Sequence, residues 1–147
     1  MNNLLHIYAF CVILLFLKML AISCYQGFYR IKNKAFKNTE DANFVSVQAR
    51  PEELPQVIRA SQAWANDLEN IPVFWVLGGL CIALNLSSDF IVWVFCIFTI
   101  ARITHTVTYL SAIQPWRSIS YAVGIICLII LAIQIVITCI GFQINAY

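Results

Sequence analysis

Four long stretches of Ile, Leu, Val, Phe and Ala dominate the chain, separated by polar segments. They run over about 4–27, 57–86, 90–110 and 118–140, with a polar loop over about 28–56. Apolar residues fill them without strict alternation. A membrane strand would be only ~9–11 residues long with a period-two polarity, so the pattern predicts helices rather than a barrel. About 20 apolar residues cross a ~30 Å hydrocarbon core. The expected fold is an all-α membrane protein, a four-transmembrane-helix bundle forming a single domain over 1–147. The first stretch is interrupted only by Lys18, and the second is polar in its first half. Met1-Asn2-Asn3 lacks a basic n-region and no small-residue cleavage site follows, so the first stretch reads as a retained helix.

Composition narrows the function. Hydrophobic residues make up 61% of the chain and charged residues 11%, against roughly 45–50% and about 25% in soluble domains. This excludes a disordered chain, a nucleic-acid-binding domain and an ordinary cytosolic enzyme. A net charge of +2 leaves no polybasic surface for phosphates. Arg30, Lys32, Lys34, Lys37 and Arg50 lie in the first loop, Arg117 lies in the third, and the second has no Lys or Arg. The positive-inside rule then makes the long first loop cytoplasmic and puts both termini on the opposite side of a multi-pass integral membrane protein. The six cysteines lie in or beside apolar runs without CxxC spacing, so they read as small buried hydrophobes rather than a disulfide framework or a metal site.

An ionisable residue at the centre of a transmembrane helix costs roughly 2.5–3.5 kcal/mol on insertion scales and therefore needs a reason. Arg59, Gln62, Asn66 and Glu69 fall at offsets 0, 3, 7 and 10, on one helical face, with Asp67 off it. Arg102, His105 and Tyr109 follow at offsets 0, 3 and 7, beside Thr106. Arg117, Ser118 and Tyr121 open the last stretch. A plain ion pair of Asp67 or Glu69 with Arg102 is the structural alternative. The whole set, stacked toward one membrane face, instead suggests a polar cavity open to the cytoplasm. Such a cavity offers cations for carboxylates, a carboxylate for an ammonium, and hydroxyl donors near an arginine. A small zwitterion with several carboxylates would match it. No metal is expected, because His6 and His105 are far apart and His105 has no second strong ligand at helical spacing. His6 reads as interfacial.

Four motifs in order carry a family resemblance. They are Lys18-Met19 through Gln26-Gly27, Arg30, Lys34-Ala35-Phe36, Asn38 and Glu40-Asp41-Ala42; then Asn66-Asp67-Leu68-Glu69-Asn70-Ile71-Pro72; then Arg102, His105-Thr106 and Tyr109-Leu110; then Arg117-Ser118 and Tyr121. Over about residues 18–121 the chain resembles the MAPEG family, membrane-associated proteins in eicosanoid and glutathione metabolism. The resemblance implies a homotrimer of four-helix subunits, with glutathione as cosubstrate bound near the cytoplasmic side between neighbouring subunits. It implies glutathione-binding roles for Arg30, Asn66, Glu69, His105, Tyr109 and Tyr121. It makes Arg117 and Ser118 the pair that holds or activates the thiolate, and it matches Asp41 to an aspartate implicated in chemistry in the prostaglandin-synthesising branch.

The expected activity is a membrane-bound glutathione S-transferase. Its thiolate would attack a lipophilic electrophile that arrives from the bilayer, with reduction of lipid hydroperoxides (glutathione peroxidase activity) starting from the same thiolate. Three substitutions depart from the family pattern. Gln62 stands where an arginine is common, Trp64 where a histidine is frequent, and Ala65 where the prostaglandin branch has another arginine. The loop before Arg117 is also shorter by one residue. These departures argue against a dedicated prostaglandin isomerase and favour a general transferase or peroxidase. They also motivate the alternative of a non-enzymatic membrane scaffold or regulator on the same fold.

Overall fold

The computed structural model describes residues 2–86 and 89–144. It is helical, with α1 (Asn2–Lys32), α2 (Thr39–Phe44), α3 (Pro55–Ala83), α4 (Asp89–Leu110) and α5 (Trp116–Ile144). The long helices pack together. Both α3 and α4 touch α1, α5 and each other, so they form the inside of the bundle.

The helix ends differ from the sequence expectation for local reasons. The first helix continues to Lys32, where Arg30 and Lys32 complement the negative end of its dipole. It closes with Lys34 in the left-handed region at φ 46°. The expected polar loop contains the short helix α2, which has Glu40 and Asp41 in its first turn. Pro55 opens α3 at a position where its missing N–H costs nothing. That helix stops at Ala83, short of residue 86, because Asn85 turns left-handed at φ 53° and Leu86 N–H bonds back to Cys81 O. Ala112 at φ 58° ends α4 in the same manner, with Ile113 N–H on Thr108 O.

Among the described residues, α1 (from Asn3 to Lys32), α4 and α5 (from Trp116 to Phe142) are long and apolar enough to cross a membrane. The third helix is not in that set. Its first half carries Arg59, Asp67 and Glu69, and it packs against α1, α4 and α5.

Aromatic packing forms the apolar centre. Phe74 of α3 stacks on Phe98 at 4.4 Å and meets Phe95 edge-on at 5.5 Å. Tyr8 of α1 lies against both Phe74 and Phe95, and its hydroxyl donates to Trp75 O at 2.6 Å. Gly78 makes room for that ring, since a Cβ there would lie 2.9 Å from Tyr8 Cδ2. All six cysteines are free; Cys11, Cys81 and Cys127 are buried, while Cys24 and Cys139 are exposed.

Candidate functional site

The polar residues of the helices fall into three groups. The first is buried and links α1, α3 and α4. Asp67 Oδ1 accepts from Lys18 Nζ at 2.5 Å and from Arg102 Nη2 at 3.4 Å. The same Arg102 nitrogen donates to Asn66 Oδ1. Asp67 and Arg102 are fully buried and Lys18 is nearly so. Two cations thus enclose one carboxylate, and Arg102 Nε and Nη1 have no hydrogen-bond partner among the described residues. The ion pair expected as the structural alternative is therefore present. Its third member, Lys18, stands out in the sequence as the one charge within the first apolar stretch, but nothing there pairs it with Asp67.

The second group assembles α3, α4 and the start of α5. His105 Nδ1 lies 3.0 Å from Arg117 O. A carbonyl only accepts, so Nδ1 carries the proton in this bond. His105 Nε2 is buried without a described partner. The His105 ring faces Tyr109 at 5.6 Å and Tyr121 at 5.9 Å. The Arg117 guanidinium lies over the Tyr109 ring at 4.9 Å, and Tyr109 OH donates to Gln62 Oε1 at 3.2 Å. Arg102 approaches the exposed Tyr121 ring at 6.0 Å. Ser118 is exposed beside Arg117, and Glu69 is exposed one turn past Asn66. His105, Tyr109, Arg117 and Tyr121 are therefore brought together by direct contacts, and Asn66 joins them through Arg102.

The helical face inferred from spacing is visible in the burial pattern. Gln62 and Glu69 are exposed and Asn66 is half-buried, whereas Ala60, Ala63, Asp67 and Asn70 turn inward.

The third group surrounds the end of α1. Arg30 donates from Nε at 2.9 Å and from Nη2 at 2.6 Å to Glu53 Oε2. Asp41 is exposed on α2 and accepts from Asn38 Nδ2 at 3.3 Å. Arg30, Asp41, Lys37 and Glu53 border a hollow of about 130 Å³. Among the described residues no hydrogen bond or ion pair joins this group to the one around Arg117. Glu53 was not singled out by sequence, because its partner lies across the whole first loop. An apolar groove of about 240 Å³ also runs between α4 and α5, lined by Ile97, Ile100, Thr104, Trp116, Ile119 and Val123.

Together these features define a helical membrane protein that carries a polar, arginine-centred site at the junction of three helices. The profile of the MAPEG family matches residues 8–137, and the chain belongs to that family. Human prostaglandin E synthase is 34% identical over 127 residues, covering 85% of this chain and 83% of that protein. Rat prostaglandin E synthase is 32% identical over 136 residues, covering 91% and 88%. Human microsomal glutathione S-transferase 1 is 34% identical over 112 residues, covering 73% and 72%. Membership makes the chain an integral membrane protein. The equal identity to the human synthase and the human transferase does not select between their activities.

Proposed function

We propose that the chain is a membrane-bound glutathione transferase, acting as a homotrimer with four membrane crossings per subunit. On this reading α3 is the fourth crossing, the loop between α1 and α3 is cytoplasmic, and both termini are on the other side. The observation that carries the proposal is the pinning of Arg117. His105 holds its backbone, the Tyr109 ring lies beneath its guanidinium, and Ser118 follows at once. A thiolate placed here meets a fixed cation and a hydroxyl donor.

Free glutathione thiol has a pKa near 8.5 and is mostly protonated at neutral pH. Lowering that value by about 1.5 units requires roughly 2 kcal/mol of preference for the anion. One arginine and one hydroxyl hydrogen bond in a partly dry site can supply this. Asn66, Glu69, His105, Tyr109 and Tyr121 would hold the peptide, with Arg30 and Asp41 contributing from the loop side across a subunit boundary. The thiol proton leaves to water and the sulfur forms a bond to an electrophilic carbon. The electron pair of the broken bond leaves with its group or is protonated. With a hydroperoxide the sulfur takes the terminal oxygen as the O–O bond breaks, the alkoxide leaves and is protonated to the alcohol, and a second glutathione thiol displaces water from the sulfenic acid to give the disulfide. The apolar groove beside Trp116 suits a substrate that arrives from the lipid.

The test is ultraviolet thiolate difference absorbance of the detergent-purified protein titrated with glutathione, with Arg117→Ala as control. A saturable signal lost in the variant supports the proposal. No signal at millimolar glutathione would overturn it and bring forward the non-enzymatic scaffold.

A further inference from the structure

The connection 111–115 between α4 and α5 sets a carboxamide against both groups assigned to the thiolate. The Arg117 guanidinium carries only donors, so the Gln114 amide oxygen must be the atom that faces it. In that orientation the oxygen accepts from Arg117 Nη2 at 2.6 Å and from Nε at 3.1 Å, while the amide nitrogen donates to Ser118 Oγ at 3.2 Å. The Tyr109 ring covers one face of the same guanidinium. Two constraints therefore fix the Arg117 head: an acceptor along its Nε–Nη2 edge and an aromatic face. The Nη1 end is left to meet an anion. Ser118 Oγ accepts from Gln114, so the hydroxyl hydrogen of Ser118 stays available for donation to that anion.

We propose that Gln114 is a positioning residue for the thiolate, aligning Arg117 and Ser118 together; this rests on the glutathione reading above. A neutral amide suits the role. A glutamate would hold the same edge of Arg117, but it would cancel the charge and would accept the Ser118 hydrogen instead of freeing it. A leucine would leave both groups without a guide. Gln114 is exposed and outside the helices, so neither change removes packing from the bundle.

The experiment compares the full-length wild type with Gln114→Leu, Gln114→Glu and Arg117→Ala in detergent. Calorimetry gives glutathione affinity. Thiolate absorbance, followed from about pH 6 to 9 around the ordinary thiol value, gives the ionisation midpoint of the bound thiol. Both Gln114 variants are expected to bind glutathione within about threefold of the wild type. Their bound thiol should ionise about one pH unit higher, which for a wild-type midpoint near 7 is roughly fivefold less thiolate at pH 7. The proposal fails if both variants keep the wild-type midpoint, or if affinity falls in step with the thiolate signal. Gln114→Glu is isosteric, so it decides the matter even if the leucine variant does not fold. A wild type with no thiolate signal sinks the glutathione reading and this proposal with it. A wild-type signal left unchanged in both variants sinks this proposal alone.

Discussion

Asparagine at position 67 is the sharpest test of the buried cluster. Asp67 supplies the one carboxylate between Lys18 and Arg102, at 2.5 Å and 3.4 Å, with its side chain and that of Arg102 both sealed from solvent. Asn66 adds only a neutral acceptor. Asp67→Asn keeps the volume and a polar carbonyl but strips the charge, so the Lys18 ammonium and the Arg102 guanidinium are left without a compensating anion. Removing one partner of a buried pair typically costs about 3–5 kcal/mol. For a chain of this size, 1 kcal/mol moves the melting temperature by about 2–4 °C, so the expected loss is roughly 6–20 °C. Thermal melting can be followed with a thiol-reactive fluorophore, since Cys11, Cys81 and Cys127 are buried and become reactive on unfolding. Lys18→Met in the Asp67→Asn background removes one of the stranded cations and should recover part of the loss. A double-mutant cycle then gives the coupling, expected above about 1 kcal/mol for groups in direct contact. A shift of less than about 2 °C for Asp67→Asn, near 1 kcal/mol by the same conversion, would refute the idea that this cluster locks the bundle.

Other substitutions probe the remaining parts. Gly78→Ala should displace the Tyr8 ring and its bond to Trp75 O, lowering stability by about 1–3 kcal/mol in the same melting assay; adding Tyr8→Ala should make the glycine change nearly neutral. Glu53→Gln releases Arg30 from its carboxylate, and if Arg30 grips a glutathione carboxylate, calorimetric affinity should rise a few-fold; an unchanged or weaker affinity counts against Arg30 as a ligand. Arg117→Lys keeps the charge but cannot span the Gln114 oxygen with two donors, so the thiolate signal should fall between wild type and Arg117→Ala.

Much of this architecture is legible in the sequence, because hydrophobic periodicity and bilayer thickness leave few choices for long apolar stretches. The face of α3 that holds Gln62, Asn66 and Glu69 follows from spacing alone, and so does its separation from inward-facing Asp67. What escaped depends on neighbours in space. Lys18 finds Asp67 only once α1 lies on α3, a pairing that no periodicity encodes. Glu53 reaches Arg30 across a loop whose fold includes α2. Ala112 adopts a left-handed backbone that alanine does not advertise, and that turn leads into the connection bearing Gln114. On the proposed reading α3 is a fourth crossing that the apolar length rule leaves out. A helix face packed against protein can carry a charge that a lipid-facing one cannot, as Asp67 does with Arg102 on the next helix.

The internal bonds also fix which polarity each site residue offers outward. Asn66 commits its carbonyl oxygen to Arg102, so its free atom is the amide nitrogen, a donor. Tyr109 commits its hydroxyl hydrogen to Gln62, so it presents an oxygen lone pair, an acceptor. Arg117 contributes the uncommitted part of its guanidinium, and Glu69 an exposed carboxylate. The resulting pattern places donors at Asn66, Arg117 and Ser118 and acceptors at Tyr109 and Glu69. On the proposed glutathione reading, that mixture of donors and acceptors suits a ligand carrying both anionic groups and an ammonium better than it suits a simple anion. Gln62 therefore does more than remove a positive charge. By accepting from Tyr109 it leaves that hydroxyl oxygen as an acceptor beside the Arg117 guanidinium, so on the proposed glutathione reading the two residues offer an acceptor and a cation to the same part of the ligand.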